Sequence, residues 1–550
     1  LKISFDLDNT LRNHDGTDIL PSHEKVKKQL AAGHKVIIVT RRHEDDTHAG
    51  IDGQGVLDYV KDKLGAIPVI FDNSQLKYET LDKEEVDMHY DDDPKEIEAI
   101  NKHTNIKGVL VTDGKGVDKP DKKEDDKKTA NTEITNAKDA TVLFYDYGNY
   151  LPFIRTVAKQ FKKVYYYNPN IQQPFPTVYQ SAIGYGLDEV EMIDDDFKVH
   201  DEVDLFILLD LTHGYFQNHL TKEDKLVWGS KRIPEIEVNR DKFKELLKSL
   251  GLPVNKYQVV TGIENLKEHL KEHKNVWVKI NKWRGLTETF KSENEFLSRP
   301  EIDKMRDETG LMGSEAMFIV EEQIDTEAEI GFDGMFTNGQ YRKKCLYGVE
   351  IKDCGYCGKV IDYDSLPKVL KEINEKFAPI LEKAGYCNFI STEVRMAKDG
   401  TGYFIDPAMR MPSPPGEIYG NLITNIGELM FQASLGRNIE PEHSDLFGMQ
   451  AIIWSQWSNN NWNNIEIPDD IKPYVKIKNL FKVGNKLGIA PPMKDLVQIG
   501  SIVCTGSSIK ECVKKIMEYS DKLKGIDLVV KTDELDKAVE TFAKAEKYLT

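Results

Sequence analysis

The chain has 550 residues, 40% hydrophobic and 30% charged, a balance that excludes a disordered or fibrous protein. At about 100–200 residues per domain, the length predicts several domains. Lys and Arg total 74 against 92 Asp and Glu, a formal charge of −18, which disfavours nucleic-acid partners but not small anionic substrates, since those need only a few well-placed cations.

No apolar run approaches the ~18–20 residues that cross a bilayer, and LKISFDLDNTL has no basic stretch ahead of an apolar core. Neither a membrane span nor a secretory leader is expected. Six cysteines do not make a disulfide framework, so a reducing cytoplasm is the natural compartment.

Strand-like segments Ile3–Phe5, Val36–Val39, Val69–Phe71 and Val86–Tyr90 alternate with amphipathic stretches such as SHEKVKKQLAAG, which predicts a parallel sheet over residues 1–112. Residues 113–140 are charged and nearly free of large apolar side chains, the composition of a flexible linker. The alternation resumes in TVLFYDYGN, KVYYYNP, DLFILLDLTHG and KLVWGS, giving a second sheet over 141–234. A helix, NRDKFKELLKSLG, opens a region of strand pairs and helices over 235–440. The last part, 441–550, is strand-rich and carries SIKECVKKIMEYSDKLKG, where Ile509, Cys512, Val513, Ile516, Met517 and Leu523 share one helical face expected to be core.

The first strand ends in Asp6-Leu7-Asp8-Asn9-Thr10, the second in Thr40, and a later one in Asp91-Asp92-Asp93, with Lys77 ahead of it. Strand carboxyl ends are where open parallel sheets bind ligands. Asp oxygens without Cys or His suit a hard cation such as Mg²⁺. The chemistry expected of such a set is attack on phosphorus by an ionised Asp6, with Asp8 protonating the leaving oxygen and Thr40 and Lys77 binding phosphoryl oxygens. Lys83 is a second lysine ahead of the acidic pair. These motifs resemble the haloacid-dehalogenase (HAD) superfamily over about residues 1–112. The resemblance implies Asp6 as nucleophile, Asp8 as acid/base, and Asp6, Asp8 and Asp92 around Mg²⁺. No intervening stretch is long enough for a full cap domain, so the site is either open or covered by the rest of the chain.

Further on, Lys279 ends VWVK and is followed by Arg284 and Gly285, one arrangement for holding ATP phosphates. MFIVEEQI offers backbone around Glu321, Glu322 and Ile324 to an adenine edge, and Glu329 follows. Glu393 and Asp406, thirteen positions apart around a turn containing Asp-Gly, are candidates for facing carboxylates that hold Mg²⁺. Arg410 is placed to neutralise a transferred phosphoryl group. DYGNYL, EIEVNRDKFKELLKSLGLP, GTGYFIDPAMRMPSPPGE and GSIVCTGSSIKECVKKIMEYSDKLKG resemble the ATP-grasp enzymes, within them the phosphoribosylamine–glycine ligase family, over about residues 140–550.

That resemblance implies an α/β multidomain chain: a HAD Rossmannoid parallel sheet, a Rossmann-like pre-ATP-grasp domain, an α+β ATP-grasp domain and a small C-terminal domain. It also implies ATP- and Mg²⁺-dependent joining of a small-molecule carboxylate to an amine through an acyl phosphate. Lys279 and Arg284 would hold phosphates, Glu321 and Glu329 the nucleoside, Glu393 and Asp406 the metal, and Arg410 the acyl phosphate. Together the halves predict a bifunctional phosphatase–ligase. The rivals are a degenerate nucleotide-binding or structural protein, and a ligase carrying a regulatory HAD module.

Two departures bear on that choice. Ala408 stands where the family has a metal-site Asn, and Gly285 alone represents the glycine-rich loop. Lys352–Gly358 replaces the family's Gly- and Thr-rich substrate loop and contains Cys354-x-x-Cys357, which reads as a substrate loop before a zinc half-site or redox pair. His213, at a strand end, is a candidate substrate contact or part of a helix-capping loop. SQWSNNNWNN (455–464) reads as an amide-rich loop anchored by tryptophans.

Overall fold

The computed structural model describes residues 1–12, 18–41, 53–72, 77–104, 106–111, 134–172, 176–231, 233, 235–282, 288–352, 354–413, 415–492 and 498–549. They fall into two compact units, Leu1–Lys127 and Lys128–Thr550. Among the described residues, no helix is long and apolar enough to cross a membrane.

In the first unit β1 (Lys2–Phe5), β2 (Lys35–Thr40), β3 (Val69–Phe71), β4 (Met88–Asp91) and β5 (Lys107–Leu110) alternate with α1 (Leu20–Ala31), α2 (Gly53–Leu64), α3 (Lys77–Lys83) and α4 (Pro94–His103). The sheet order is β3-β2-β1-β4-β5, and all pairs are parallel. Successive residues of β2 point to opposite faces, Val36 and Ile38 into one apolar cluster, Ile37 and Val39 into another. Both faces are therefore apolar, as crossover helices on both sides require. Because β2, β1 and β4 are neighbours running the same way, their carboxyl ends share one edge.

The second unit begins with another parallel sheet, built from β6 (Thr141–Tyr145), β7 (Lys163–Tyr167), β8 (Glu191–Ile193), β9 (Leu205–Leu208) and β10 (Leu226–Trp228). Its order, β10-β9-β6-β7-β8, reverses direction between β6 and β9.

A small antiparallel sheet follows, from β11 (Tyr257–Thr261), β12 (Val276–Ile280), β13 (Thr289–Ser292) and β14 (Met317–Glu322), in the order β11-β14-β12-β13. On one face Val276, Val278, Phe318 and Val320 pack with Leu266 and Leu270 of helix Ile263–Glu272 and with Ile302 and Met305 of helix Arg299–Thr309. Strand alternation turns Trp277, Lys279 and Glu321 to the opposite face.

The largest sheet is antiparallel. It runs from β20 (Gly402–Ala408) through β19 (Asn388–Ala397), β15 (Thr326–Thr337), β17 (Lys344–Ile351) and β18 (Gly355–Asp362) to β21 (Phe447–Trp454), then to strands Gln498–Gly506 and Val475–Ile477. The short β16 (Gln340–Tyr341) pairs with β15. Pairing between β18 and β21 means that one sheet spans the boundary expected at position 440 between the ATP-grasp and C-terminal domains.

Three further expectations differ. Residues 134–140, read as linker, pack on the second unit: Ala137 is buried, its N–H donates to Glu428 Oε2 (2.7 Å), and Gln432 Nε2 donates to Thr135 O (2.7 Å). The rest of that stretch, 113–133, lies outside the described residues. Of the stripe in helix Ile509–Ser520, Ile509, Cys512, Val513 and Ile516 are buried, but Met517 is 43% exposed because it falls at the edge of the apolar arc. The CxxC stretch runs into β18, with both thiols buried.

Candidate functional sites

In the first unit Asp6 follows β1, Thr40 ends β2 and Asp91 ends β4, all three buried at the shared edge. Lys77, at the start of α3, is also buried. Its Nζ lies 2.8 Å from Asp6 Oδ1 and 2.6 Å from Asp91 Oδ2. Carboxylate oxygens of Asp6, Asp91 and Asp92 all lie within 4.8 Å of one another, a hard-oxygen donor set that fits a divalent cation.

The trio shares Asp6 and Asp92 with the expected set and adds Asp91. Asp91 is the better-held member. Its Oδ2 also meets His89 Nε2 at 3.0 Å and its Oδ1 accepts Asp93 N at 2.9 Å, while His89 Nδ1 lies 2.7 Å from Ser4 Oγ. Thr10 Oγ1 donates to Asp92 Oδ1 at 3.2 Å.

The charges are unbalanced. Burial lifts Asp6 to about 7; Lys77 opposes that shift and Asp91 adds to it. Burial works against the Lys77 charge, yet Asp6 and Asp91 together hold its pKa above that of an ordinary lysine. Burial lowers His89, which stays neutral between Ser4 and Asp91. A cation at this edge would restore Asp6 as an anion.

In the second unit, Glu321 is buried between two ammonium groups, Lys244 at 3.0 Å and Lys279 at 3.5 Å. Asn255 Nδ2 adds contacts to Glu321 Oε2 (3.3 Å) and Glu322 O (3.1 Å). Burial would raise Glu321, but Lys279 and Lys244 outweigh it and hold the carboxyl low. Glu322 is exposed on the other side of β14, 3.6 Å from Lys256, and Ile324 is half-buried just beyond the strand. Arg284 and Gly285 lie outside the described residues.

Glu329 faces Arg395 across β15 and β19, with Arg395 Nε donating to Glu329 Oε1 at 2.7 Å. The Arg395 guanidinium lies 5.8 Å from the Trp277 ring centroid, so the small sheet's Trp277 face meets the large sheet here.

Glu393 and Asp406 are direct cross-strand partners in β19 and β20, at a bulge. They line a pocket of about 280 Å³ with Glu329, Glu350, Ala408 and Arg410. Burial, then Glu329, Asp406 and Glu350, drive Glu393 well above the usual carboxyl range. Such crowding of like charge suits cations. Arg410 is fixed from behind: Glu237 Oε1 accepts its Nε and Nη2, each at 3.1 Å, and Glu237 Oε2 accepts Met409 N at 2.9 Å. Arg410 Nη1 donates to Tyr150 Oη (3.2 Å) and Met411 O (3.0 Å).

The sequence reading missed Lys244, Asn255, Glu237, Tyr150, Glu350 and His89. Only the alternation of acidic and apolar residues in EIEV before the entry helix hinted at one of them, Glu237. Of the secondary candidates, His213 Nε2 lies 2.7 Å from Tyr147 Oη, and its ring makes no capping bond to the helix Gly214–Lys222. Burial raises the Cys357 thiol, and Cys354 Sγ contacts Lys531 O at 3.4 Å. In 455–464, Asn463 is buried and donates to Ser458 Oγ and Ile526 O, each at 2.8 Å.

A parallel sheet with an acidic carboxyl edge, followed by a body with two carboxylate-bearing antiparallel sheets, defines a multidomain α/β protein of enzymatic type. Residues 3–181 match the family model for haloacid dehalogenase-like hydrolases, a range that starts in β1 and passes the division between the units. No curated protein sequence matches the chain.

Among solved structures, the chain is similar to phosphoribosylamine–glycine ligase from Thermotoga maritima, with TM-score 0.54, 16% identity, and 72% of this chain and 99% of that one covered. It is also similar to a biotin carboxylase from Campylobacter jejuni, with TM-score 0.50, 14% identity and coverage of 74% and 96%. A third is the biotin carboxylase domain of 2-oxoglutarate carboxylase from Hydrogenobacter thermophilus, with TM-score 0.50, 12% identity and coverage of 76% and 97%. The chain thus joins a segment that matches haloacid dehalogenase-like hydrolases to a body that shares the fold of phosphoribosylamine–glycine ligase.

Proposed function

We propose that the chain is a bifunctional enzyme: a Mg²⁺-dependent phosphatase joined to an ATP-dependent carboxylate–amine ligase that acts through an acyl phosphate. The phosphatase reading rests on Asp6 held at 2.8 Å by a buried lysine on an edge shared with Asp91 and Asp92. Asp6 attacks phosphorus and becomes an aspartyl phosphate, Asp8 gives its proton to the leaving oxygen, and Asp8 then takes a proton from the attacking water. Lys77 and Thr40 steady the phosphoryl oxygens. Mg²⁺, when bound by Asp6 and Asp92, supplies positive charge against the phosphoryl group.

The ligase reading is carried by Glu393 facing Asp406 in one pocket with Arg410. Lys279 holds nucleotide phosphate, the Glu321 region takes the nucleoside, and Arg410 balances charge on the acyl phosphate. Glu393 and Asp406 would hold Mg²⁺, which would supply positive charge against nucleotide phosphate. The amine then displaces phosphate from the activated carboxyl group. Ala408 in this pocket favours a second reading, a nucleotide-binding fold without turnover, because Ala supplies no metal ligand.

Hydrolysis of p-nitrophenyl phosphate with Mg²⁺ tests the first half: Asp6→Asn is expected to lose at least about a thousandfold in kcat, and full retention would falsify the nucleophile assignment. For the second half, ATP with a panel of carboxylic acids and hydroxylamine is expected to give hydroxamate and ADP, with Glu393→Gln inactive. ATP binding without either product across the panel would favour the second reading.

A further inference from the structure

In the first unit, Ser4 of β1 and His89 of β4 are direct cross-strand partners, and both are fully buried. Ser4 also pairs with Ile37, whose side of the sheet is packed with Val39, Leu81 and Ile100. A hydroxyl and an imidazole on so apolar a face cost desolvation, which only hydrogen bonds offset. Both find them. Ser4 Oγ lies 2.7 Å from His89 Nδ1, and His89 Nε2 lies 3.0 Å from Asp91 Oδ2. A carboxylate only accepts, so Nε2 carries the proton at that contact. Strand alternation puts His89 and Asp91 on the same face of β4, so a polar line runs from the middle of the sheet to its acidic edge.

At that edge the acceptor sites of Asp91 can be counted. Oδ2 takes His89 Nε2 and, at 2.6 Å, Lys77 Nζ, while Oδ1 takes Asp93 N at 2.9 Å. Among the described residues, the remaining acceptor site is on Oδ1, in a set whose Asp6, Asp91 and Asp92 oxygens lie within 4.8 Å of one another. Lys77 divides its ammonium between Asp91 and Asp6, and an ammonium is a point charge that imposes little direction. The imidazole is planar and fixed at its far side by Ser4. It is therefore the partner that stops the Asp91 carboxylate from turning.

We propose that His89 is a positioning residue of the cation site: anchored by Ser4, it holds Asp91 with Oδ2 turned to Lys77 and leaves Oδ1 for a divalent cation. The inference rests on the cation site of the proposed phosphatase and adds to it a residue that acts through Asp91 alone.

Bond counting separates this role from mere filling of the core. Asn carries its amide nitrogen as many bonds from Cβ as Nδ1 and can meet Ser4, whereas Gln reaches as far as Nε2 and can meet Asp91. The probe is Mn²⁺, a hard cation suited to carboxylate oxygens. It is titrated into the full chain with the free ion counted by electron paramagnetic resonance, and the binding that Asp6→Asn removes belongs to this edge. His89→Asn is expected to weaken that binding about tenfold or more, and His89→Gln to stay within about threefold of wild type. Thermal melting shows whether each variant folds. Should a His89 variant fail to fold, Ser4→Ala carries the test, with weakening of about threefold or more expected. Wild-type affinity in His89→Asn, an equal loss in His89→Gln, or, in the reserve case, wild-type affinity in Ser4→Ala would overturn the proposal. So would the absence of any Asp6-dependent Mn²⁺ binding. Hydrolysis of p-nitrophenyl phosphate then parts the two claims. His89-dependent Mn²⁺ binding without hydrolysis keeps the positioning role and sinks the phosphatase, and hydrolysis with His89-independent Mn²⁺ binding does the reverse.

Discussion

Arg410 owes its orientation to Glu237, which spans it and Met409 N in the same grip. Glu237→Gln keeps the shape and removes the charge. It is expected to lower kcat for hydroxamate formation by about tenfold or more, because small misplacements of a charge-stabilising group cost rate steeply. The affinity for ATP, read separately, should hold.

A second residue reports through pH. Lys476 is buried, with Nζ donating to Thr156 Oγ1 and Pro473 O, each at 2.8 Å, and burial, with Arg155 adding to it, lowers its pKa to about 7. The unfolded lysine titrates near 10.5, so between pH 7 and 10.5 the unfolded chain binds more protons and stability rises with pH. Lys476→Met removes that cost. The variant should melt higher than the wild type at pH 7, with the difference shrinking toward pH 10.

Spacing made Glu393 and Asp406 legible, since facing positions of a hairpin leave a mark in the sequence. Lys244 and Asn255 left none. They reach their sites from elements whose packing, rather than their order, decides where they point. Asp91 was read only as one of an acidic pair, because its tie to Lys77 depends on where α3 begins.

Among the elements, apolar runs of four or five residues were readable as strands, but β5 and β8 were missed because KGVL and EMI are short and part polar. The sheet that carries the acidic pocket depends on two glycines. Gly331 and Gly348 are cross-strand partners, and Tyr356 occupies the space that a side chain at 348 would need: a Cβ there would sit 2.2 Å from Tyr356 Oη. That hydroxyl reaches Asp333, which burial raises to about 7. Gly348→Ala should therefore destabilise the protein by about 1–3 kcal/mol, as overpacking does. Thermal melting checks this, and a Gly348→Ala/Tyr356→Phe double variant should recover part of the loss.

At the scale of the whole molecule, the charged stretch read as a linker over 113–140 contains the division between the units at Lys127 and Lys128, but composition did not mark how far the last sheet runs. If each unit holds its own chemistry, cleavage engineered between Lys127 and Lys128 should leave both phosphatase and hydroxamate activities above about half of the intact level. Loss of either one with the chain still folded would mean that the halves depend on each other.

The pairing of β18 with β21 has one more consequence. A chain shortened at residue 440 would not be a smaller folded unit but a protein with β18 laid bare over Gly355–Lys359, its N–H and C=O groups seeking another strand. A premature stop there should therefore be recognised by insolubility, with neighbouring copies stitched together edge to edge.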